Sequence, residues 1–506
     1  MFLKECHLAA GFARSRGQAV PREKAIVRRP ENDLQFVVPL RNRTFTGFDQ
    51  LSFMGLQVLK TRARFLSGLY SDLLENGIRY FFPGVTLERV SEGAEEMPGL
   101  MGAVPSGGEV QFEWMGTGYS LAASSKLSDH ERRLLRSIGM VLSARYQLLT
   151  NETLAAQSFQ LFRGLPEDRF VSAFLDPAPH TSAEAIAEIP DRIADAIEVL
   201  RTSSMSTYEN RRISTGVLLF GSMPEPCHAP PETPANALPY SHQLTTIRSF
   251  HRLCDGLRTM ALVDQNGLLA ELIDVHEWAE PYRDMPLAVP PSATYVDHAR
   301  ATLCGGHVCL VLSPNGEIKV YNDGVPVFRF IDGKWRLVDA RHRYGMWKDA
   351  IGNAELAERL FTVALNLTES RRGALFVVLD NPESARILVS EPDLLDHLNS
   401  DNAADGITSK DQLHYLLRDK SLLDVPSTVL ENVARIDGAV VLCNDAKLLA
   451  FGAILHHHST EEALNRTVEG GRTTAAIAAS HYGTVLKISE DGLISMYRSG
   501  RCMWEM

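Results

Sequence analysis

The chain has 506 residues, 45% hydrophobic and 22% charged, the balance of a globular protein with length for about two to four domains. A formal net charge of -11 argues against a surface built to neutralise a nucleic-acid backbone, although a pocket on an acidic protein can be locally positive. No apolar run approaches the roughly 20 residues that cross a bilayer, so neither polymeric nucleic acid nor a membrane is expected as a partner.

The opening Met1-Phe2-Leu3-Lys4-Glu5-Cys6-His7 lacks the basic lead and apolar core of a signal peptide. The seven cysteines are scattered and form no Cys-x-x-Cys pair, which reads as buried, reduced thiols and a cytoplasmic location. Residues 1–180 read as an α+β domain whose role the sequence does not assign. It carries strand patterns at Leu34–Val38, Tyr80–Phe82 and Val110–Trp114 and an amphipathic segment near Leu56–Leu74. A helix opens at Ser128-Asp129-His130-Glu131, a capping-box pattern, with Leu134, Leu135, Ile138, Val141, Leu142 and Tyr146 at helical spacing. Strands closed by such a helix faintly resemble the end of a GAF-type sensory domain.

Residues 181–345 and 346–506 read as two copies of one α/β unit, each a mixed sheet flanked by helices. In the first, a helix with Ile193, Ala196, Ile197 and Leu200 leads to Glu209-Asn210-Arg211-Arg212 and the strand Gly216–Phe220. In the second, a helix over Leu356–Leu367 leads to Glu369-Ser370-Arg371-Arg372 and a strand from Gly373. Asp255-Gly256 then parallels Asp437-Gly438, and Ser313, Gly316 and Tyr321 parallel Ser489, Gly492 and Tyr497. The Pro-rich run Pro224–Pro239 and the segment Glu277–Pro291 read as exposed loops, and 325–352 as a connection with a hairpin at Asp332-Gly333. Arg341-His342-Arg343 within it reads as a solvated turn. An insertion over about 390–430 has a helical, Asp/Leu-rich character.

The candidate chemistry lies near the C-terminus. Asp437-Gly438-Ala439 places a carboxylate on a glycine turn at the head of an apolar strand, suited to a divalent metal. Gly470-Gly471-Arg472-Thr473-Thr474, entering an Ala-rich helix, offers backbone N–H groups, hydroxyls and a guanidinium, the donors a phosphate requires. Walker-type and Gly-x-Gly-x-x-Gly turns are absent from the sequence, so these loops would have to do the binding. Glu490 reads as a solvated hairpin-tip carboxylate, and His456-His457-His458 as a polar rim rather than a zinc site, because consecutive histidines diverge.

The order of these motifs over roughly 353–500 resembles the diadenylate cyclase domain, which condenses two ATP molecules into cyclic di-AMP. Gly373-Ala374-Leu375, Asp437-Gly438-Ala439, the Gly470–Ala476 run and Ser489-Glu490-Asp491-Gly492 fall where that family has its Gly-Ala-Leu strand, Asp-Gly-Ala motif, Arg-His-Arg loop and closing hairpin. The resemblance implies that Asp437 holds Mg or Mn, and that Gly438, Ala439, Gly470, Gly471, Arg472, Thr473 and Thr474 contact nucleotide. It also implies two facing modules, so that Asp255 would meet Asp437 across a pseudo-twofold axis. The His-Arg of the phosphate loop is Thr473-Thr474 here, which favours binding without turnover. The expectation is a sensor of a nucleotide or cyclic dinucleotide that signals to a protein effector; the alternative is a working cyclase.

Overall fold

The computed structural model describes residues 65–92, 101–106, 109–122, 127–150, 164–223, 227–247, 249–396, 414, 416–418, 420–456 and 470–506. The expected strand Leu34–Val38, the start of the amphipathic segment before residue 65, and much of the 390–430 insertion lie outside them. The fold class is α/β with mixed sheets and flanking helices.

The N-terminal part opens with helix α1 over 65–81. Tyr70, Leu74, Ile78 and Phe81 recur at steps of three and four and are buried, so helical period governs where the aromatic run Tyr80–Phe82 suggested a strand. Strands β1 (Thr86–Glu92), β2 (Met101–Ser106), β3 (Glu109–Trp114) and β4 (Thr117–Ala122) form an antiparallel sheet in the order β1-β4-β3-β2. Helix α2 (Asp129–Thr150) begins with the expected reciprocal cap, Glu131 N–H to Ser128 Oγ at 3.1 Å and Ser128 N–H to Glu131 Oε2 at 2.8 Å. Helix α3 (Pro166–Leu175) packs on it and on α4 (Arg192–Ser204), whose N-cap Asp191 also meets Arg169 and His180.

Two sheets follow. The first contains β5 (Thr215–Leu219), β6 (Thr259–Val263), β7 (Leu269–Asp274), β8 (Val308–Leu312), β9 (Ile318–Asn322), β10 (Val325–Ile331) and β11 (Lys334–Leu337), with helix α5 (Val296–Arg300) entering β8. Helices α6 (Ala340–Ile351) and α7 (Ala354–Glu369) lead to the second, made of β12 (Ala374–Leu379), β13 (Ala439–Cys443), β14 (Leu448–Ala453), β15 (Gly483–Ile488), β16 (Ile494–Arg498) and β17 (Arg501–Glu505). Helix α8 (Ser427–Ala434) enters β13, and α9 (Gly471–Ala479) enters β15.

The sheets read β7-β6-β5-β8-β9-β10-β11 and β14-β13-β12-β15-β16-β17. Each has one parallel pair, β5 with β6 and β12 with β13, and antiparallel neighbours elsewhere. The same strand order therefore occurs twice. The closing hairpins match bond for bond. Ser313 N–H meets Glu317 O at 2.8 Å and Gly316 N–H meets Ser313 O at 2.9 Å; the counterparts are Ser489 to Leu493 at 2.8 Å and Gly492 to Ser489 at 3.0 Å. Gly316 and Gly492 both hold positive φ, +82° and +88°, a turn position that favours glycine.

Two expectations for the connection are corrected. The hairpin turning at Asp332 and Gly333 exists, but it extends the first sheet instead of linking the modules. Arg341, His342 and Arg343 lie on α6, not a turn, because Ala340, Tyr344, Trp347 and Ile351 form a buried stripe at helical spacing. Likewise Glu277–Pro291 is partly helical, through 275–279 and 280–282. Cys254, Cys309 and Cys443 are buried as expected, whereas Cys227 and Cys502 are exposed. No helix among the described residues is long and apolar enough to cross a membrane.

A polar knot joins the two sheets. Glu317, 3% exposed, accepts from Arg329 Nε at 2.9 Å, lies 3.4 Å from Lys319 Nζ, and is contacted by Arg371 from the second module. Lys319 Nζ donates to Glu369 at the end of α7 at 2.7 Å, and Arg329 Nη1 donates to Gly492 O at 2.6 Å. Burial alone would push the Glu317 carboxyl up, but Lys319, Arg329 and Arg371 outweigh it and hold it below the usual range. Its stabilising contribution is therefore complete above its unfolded pKa of about 4.3 and is lost as pH falls through the lower folded value. Urea titrations should show Glu317→Ala destabilised by about 3–5 kcal/mol at pH 7, with a smaller difference from wild type near pH 3.

Candidate nucleotide-binding edge

Asp437 stands at the head of β13, exposed, after α8 has ended at Ala434. Gly438 has φ +115°, and a Cβ built there would lie 2.6 Å from Gly452 O and 2.7 Å from Ala453 N. The strand head therefore needs glycine to let β14 pass. Ala439, the first strand residue, is buried. Because β12 and β13 are parallel with Phe376 opposite Val440, Gly373 and Asp437, each three residues earlier, stand level at one end of adjacent strands.

Helix α9 points its N-terminus to that same end. It runs back toward Gly483, so its start lies beside the β15–β16 hairpin tip. Arg472, in its first turn, lays its guanidinium over Gly373, where a Cβ would come within 2.8 Å of Cζ. Its Nη1 also sits 3.1 Å from Glu490 Oε1, in an exposed pair that contributes little and is open to exchange. Gly470, at φ +96°, and Gly471 have nothing within 4 Å of a built Cβ among the described residues. Thr474 Oγ1 turns back to Gly470 O at 3.5 Å, whereas Thr473 Oγ1 accepts from Lys487 Nζ at 3.1 Å.

Lys487 is the residue that the motif reading passes over. It supplies a cation from β15 where the phosphate loop itself carries Thr473-Thr474. The one sequence signal for it is a lysine inside the apolar strand Gly-Thr-Val-Leu-Lys-Ile. Asp437, Arg472, Thr473, Lys487 and Glu490 thus gather at one end of the second sheet. Ile436, next to Asp437 in the chain, and Ile454, just after β14, are 41% and 76% exposed. His456 is exposed beyond β14 on the same side, with its N–H on Leu388 O at 2.7 Å; His457 and His458 lie outside the described residues, as does Glu469.

Asp255 does not share this arrangement. Through the ladder, Val217 aligns with Ala261 and Leu310 as Phe376 does with Val440 and Leu486. The residue level with Asp437 is therefore Arg258, three before Ala261. Asp255 Oδ1 instead accepts from the N–H groups of Leu257, Arg258 and Thr259 at 2.8–2.9 Å, which closes its own turn. Although burial would raise this carboxyl, those backbone donors hold it below its ordinary range. Gly256 packs against the head of β5, 3.0 Å from Gly216 N by a built Cβ, and His298 of α5 bonds Gly256 O at 2.8 Å. The first module's end is consequently filled with protein.

Among the described residues no group of three or more His, Cys, Asp or Glu side chains is placed to hold a metal ion. A lone exposed Asp437 suits Mg or Mn only with nucleotide phosphates completing the shell. No protein-family model matches the chain, and no curated protein matches it in sequence. Gly438→Ala should lower stability by about 1–3 kcal/mol, read as a drop in urea midpoint, because the strand head must both abandon its φ and move off Gly452.

Proposed function

We propose that residues 346–506 bind a nucleotide or cyclic dinucleotide at the edge carrying Asp437 and Arg472, as a diadenylate-cyclase-like module, and that the chain serves as a sensor. The observation that carries this reading is the convergence of Asp437, Arg472, Thr473 and Lys487 at one end of the second sheet. A guanidinium, an ammonium and the backbone N–H groups of a helix start are donors suited to phosphate oxygens. Asp437, level with Gly373 at that end, would hold Mg or Mn that those same oxygens share, the chemistry being charge neutralisation at the phosphate.

Sensing is favoured over turnover by two features. The cyclase reaction joins two ATP molecules brought by two facing modules, and the first module's equivalent end is occupied by the Asp255-Gly256 turn and His298. The second lacks the His-Arg of the family's loop, and Lys487 restores one cation rather than two. Ligand occupancy would draw Arg472 from Glu490 and so disturb the hairpin that Arg329 and Arg371 grip across the knot. That is a route by which binding could alter what a protein effector meets.

Thermal-shift titration with ATP, AMP and cyclic di-AMP, with and without Mn, tests the reading. At least one nucleotide should raise the melting temperature of the wild type in a saturable way, by the equivalent of about 2.7 kcal/mol at a hundredfold excess over Kd. Asp437→Ala and Arg472→Ala should each weaken that ligand about tenfold or more, and chromatography should find no new nucleotide product. Asp437→Ala binding every nucleotide as tightly as wild type would sink the proposal; cyclic di-AMP appearing from ATP would convert the sensor into an enzyme.

A further inference from the structure

Arg472 does not project from the edge; it is folded down onto the sheet. Leu375 and Val377 of β12 and Val485 of β15 pack with Ala476 and Ala479, so α9 covers that face. Side chains alternate along a strand, which puts Gly373 and Lys487 on the same face, at the end where α9 begins. The three atoms nearest a Cβ built on Gly373 all belong to the Arg472 guanidinium, with Cζ at 2.8 Å. Gly373 does not hold a positive φ, so its backbone would accept alanine, and its bare Cα matters here as room for the arginine.

Glu490 holds the guanidinium in that notch, with Oε1 3.1 Å from Nη1. The hairpin tip in turn fixes Glu490. Arg371 donates to Asp491 O and Arg329 Nη1 to Gly492 O, the latter at 2.6 Å, and both arginines also meet the buried Glu317. The carboxylate that pairs with Arg472 is therefore placed by the docking of the two modules.

We propose that Gly373 and Glu490 form an autoinhibitory latch on Arg472: the notch receives the guanidinium, the carboxylate neutralises it, and a phosphate gains this arginine only by displacing Glu490. The inference rests on the nucleotide reading of the Asp437 edge and adds its regulation. Docked modules keep the hairpin tip, and so the latch, in place; movement of the tip frees the arginine and raises affinity, and by linkage a bound phosphate loosens the tip. An exposed pair of this kind is weak, so the latch tunes affinity by about 1.5- to 5-fold and does not shut the site.

Two measurements on the full chain test it, each with wild type, Glu490→Gln, Gly373→Ala, the double variant and Asp491→Asn. The first, without ligand, is the rate at which butanedione modifies Arg472, followed by peptide mass spectrometry. It should rise in Glu490→Gln and in Gly373→Ala, where a methyl group fills the notch. The second is calorimetric titration with ATP and Mn and with cyclic di-AMP at constant ionic strength. Glu490→Gln should tighten binding about threefold, and the same substitution in the Gly373→Ala background should add little, because both act on one guanidinium. Asp491→Asn removes an equal charge from the same tip and should change neither readout. Equal modification rates throughout, binding in Glu490→Gln no tighter than in wild type, or an equal gain in Asp491→Asn would overturn the latch. Accelerated modification with no nucleotide bound by any of the five proteins would instead fail the nucleotide reading itself and take the inhibitory role with it.

Discussion

A single buried carboxylate, Glu317, sits where the two sheets meet, and much of the molecule's organisation leans on it. Taking a carboxylate and its cations out of water is costly, so such a cluster is held only where each charge finds partners. Arg329 comes from the strand next to it, Arg371 from the second module, and Lys319 passes the contact on to Glu369 at the end of α7. The apolar core runs continuously past this cluster from Trp114 and Phe174 to Phe361 and Phe376. Burial supplies the bulk of the driving force, and the cluster selects one way of docking the halves, since sliding one sheet would strand a charge in low dielectric.

The two halves share a sheet plan yet differ at the one place where chemistry is expected. At the head of the first parallel pair, a backbone turn rests on Gly216 and a buried histidine seals it. Burial lowers the pKa of that histidine, His298, so its neutral form is the favoured one in the seal. At the head of the second pair, the space over Gly373 is taken by the Arg472 guanidinium instead, paired with the exposed Glu490. One architecture thus supports an end closed by its own turn and another lined by charged side chains of both signs.

The sequence made the strands and the repeated plan legible because both rest on local patterns. The Ser-x-x-Gly hairpins specify the same turn twice, and runs such as Ala374–Leu379 admit little but a buried strand. Helix periodicity is readable in α2, α4 and α7 and, as far as Leu74, in α1; the aromatic triplet at the end of α1 and the basic triplet in α6 mask the stripe beneath them. The site was half legible. Asp437, Gly470 and Arg472 announce themselves by motif, but Lys487 reaches Thr473 only through the pairing of α9 with β15, a tertiary fact. The supposed Asp255–Asp437 equivalence followed matching dipeptides, and register proved decisive: three residues of slip along a strand outweigh an identical Asp-Gly.

The central strand β12 has both neighbours far away along the chain, β13 after residues 380–438 and β15 later still. During synthesis at ~5–20 residues per second, its six apolar residues wait about 3–12 s for the first partner to emerge. The similar strand already folded, β5, cannot substitute, since β6 and β8 cover both its edges. For that interval the nascent chain carries an uncovered, adhesive ribbon, and a holding chaperone at the ribosome would find its natural grip there.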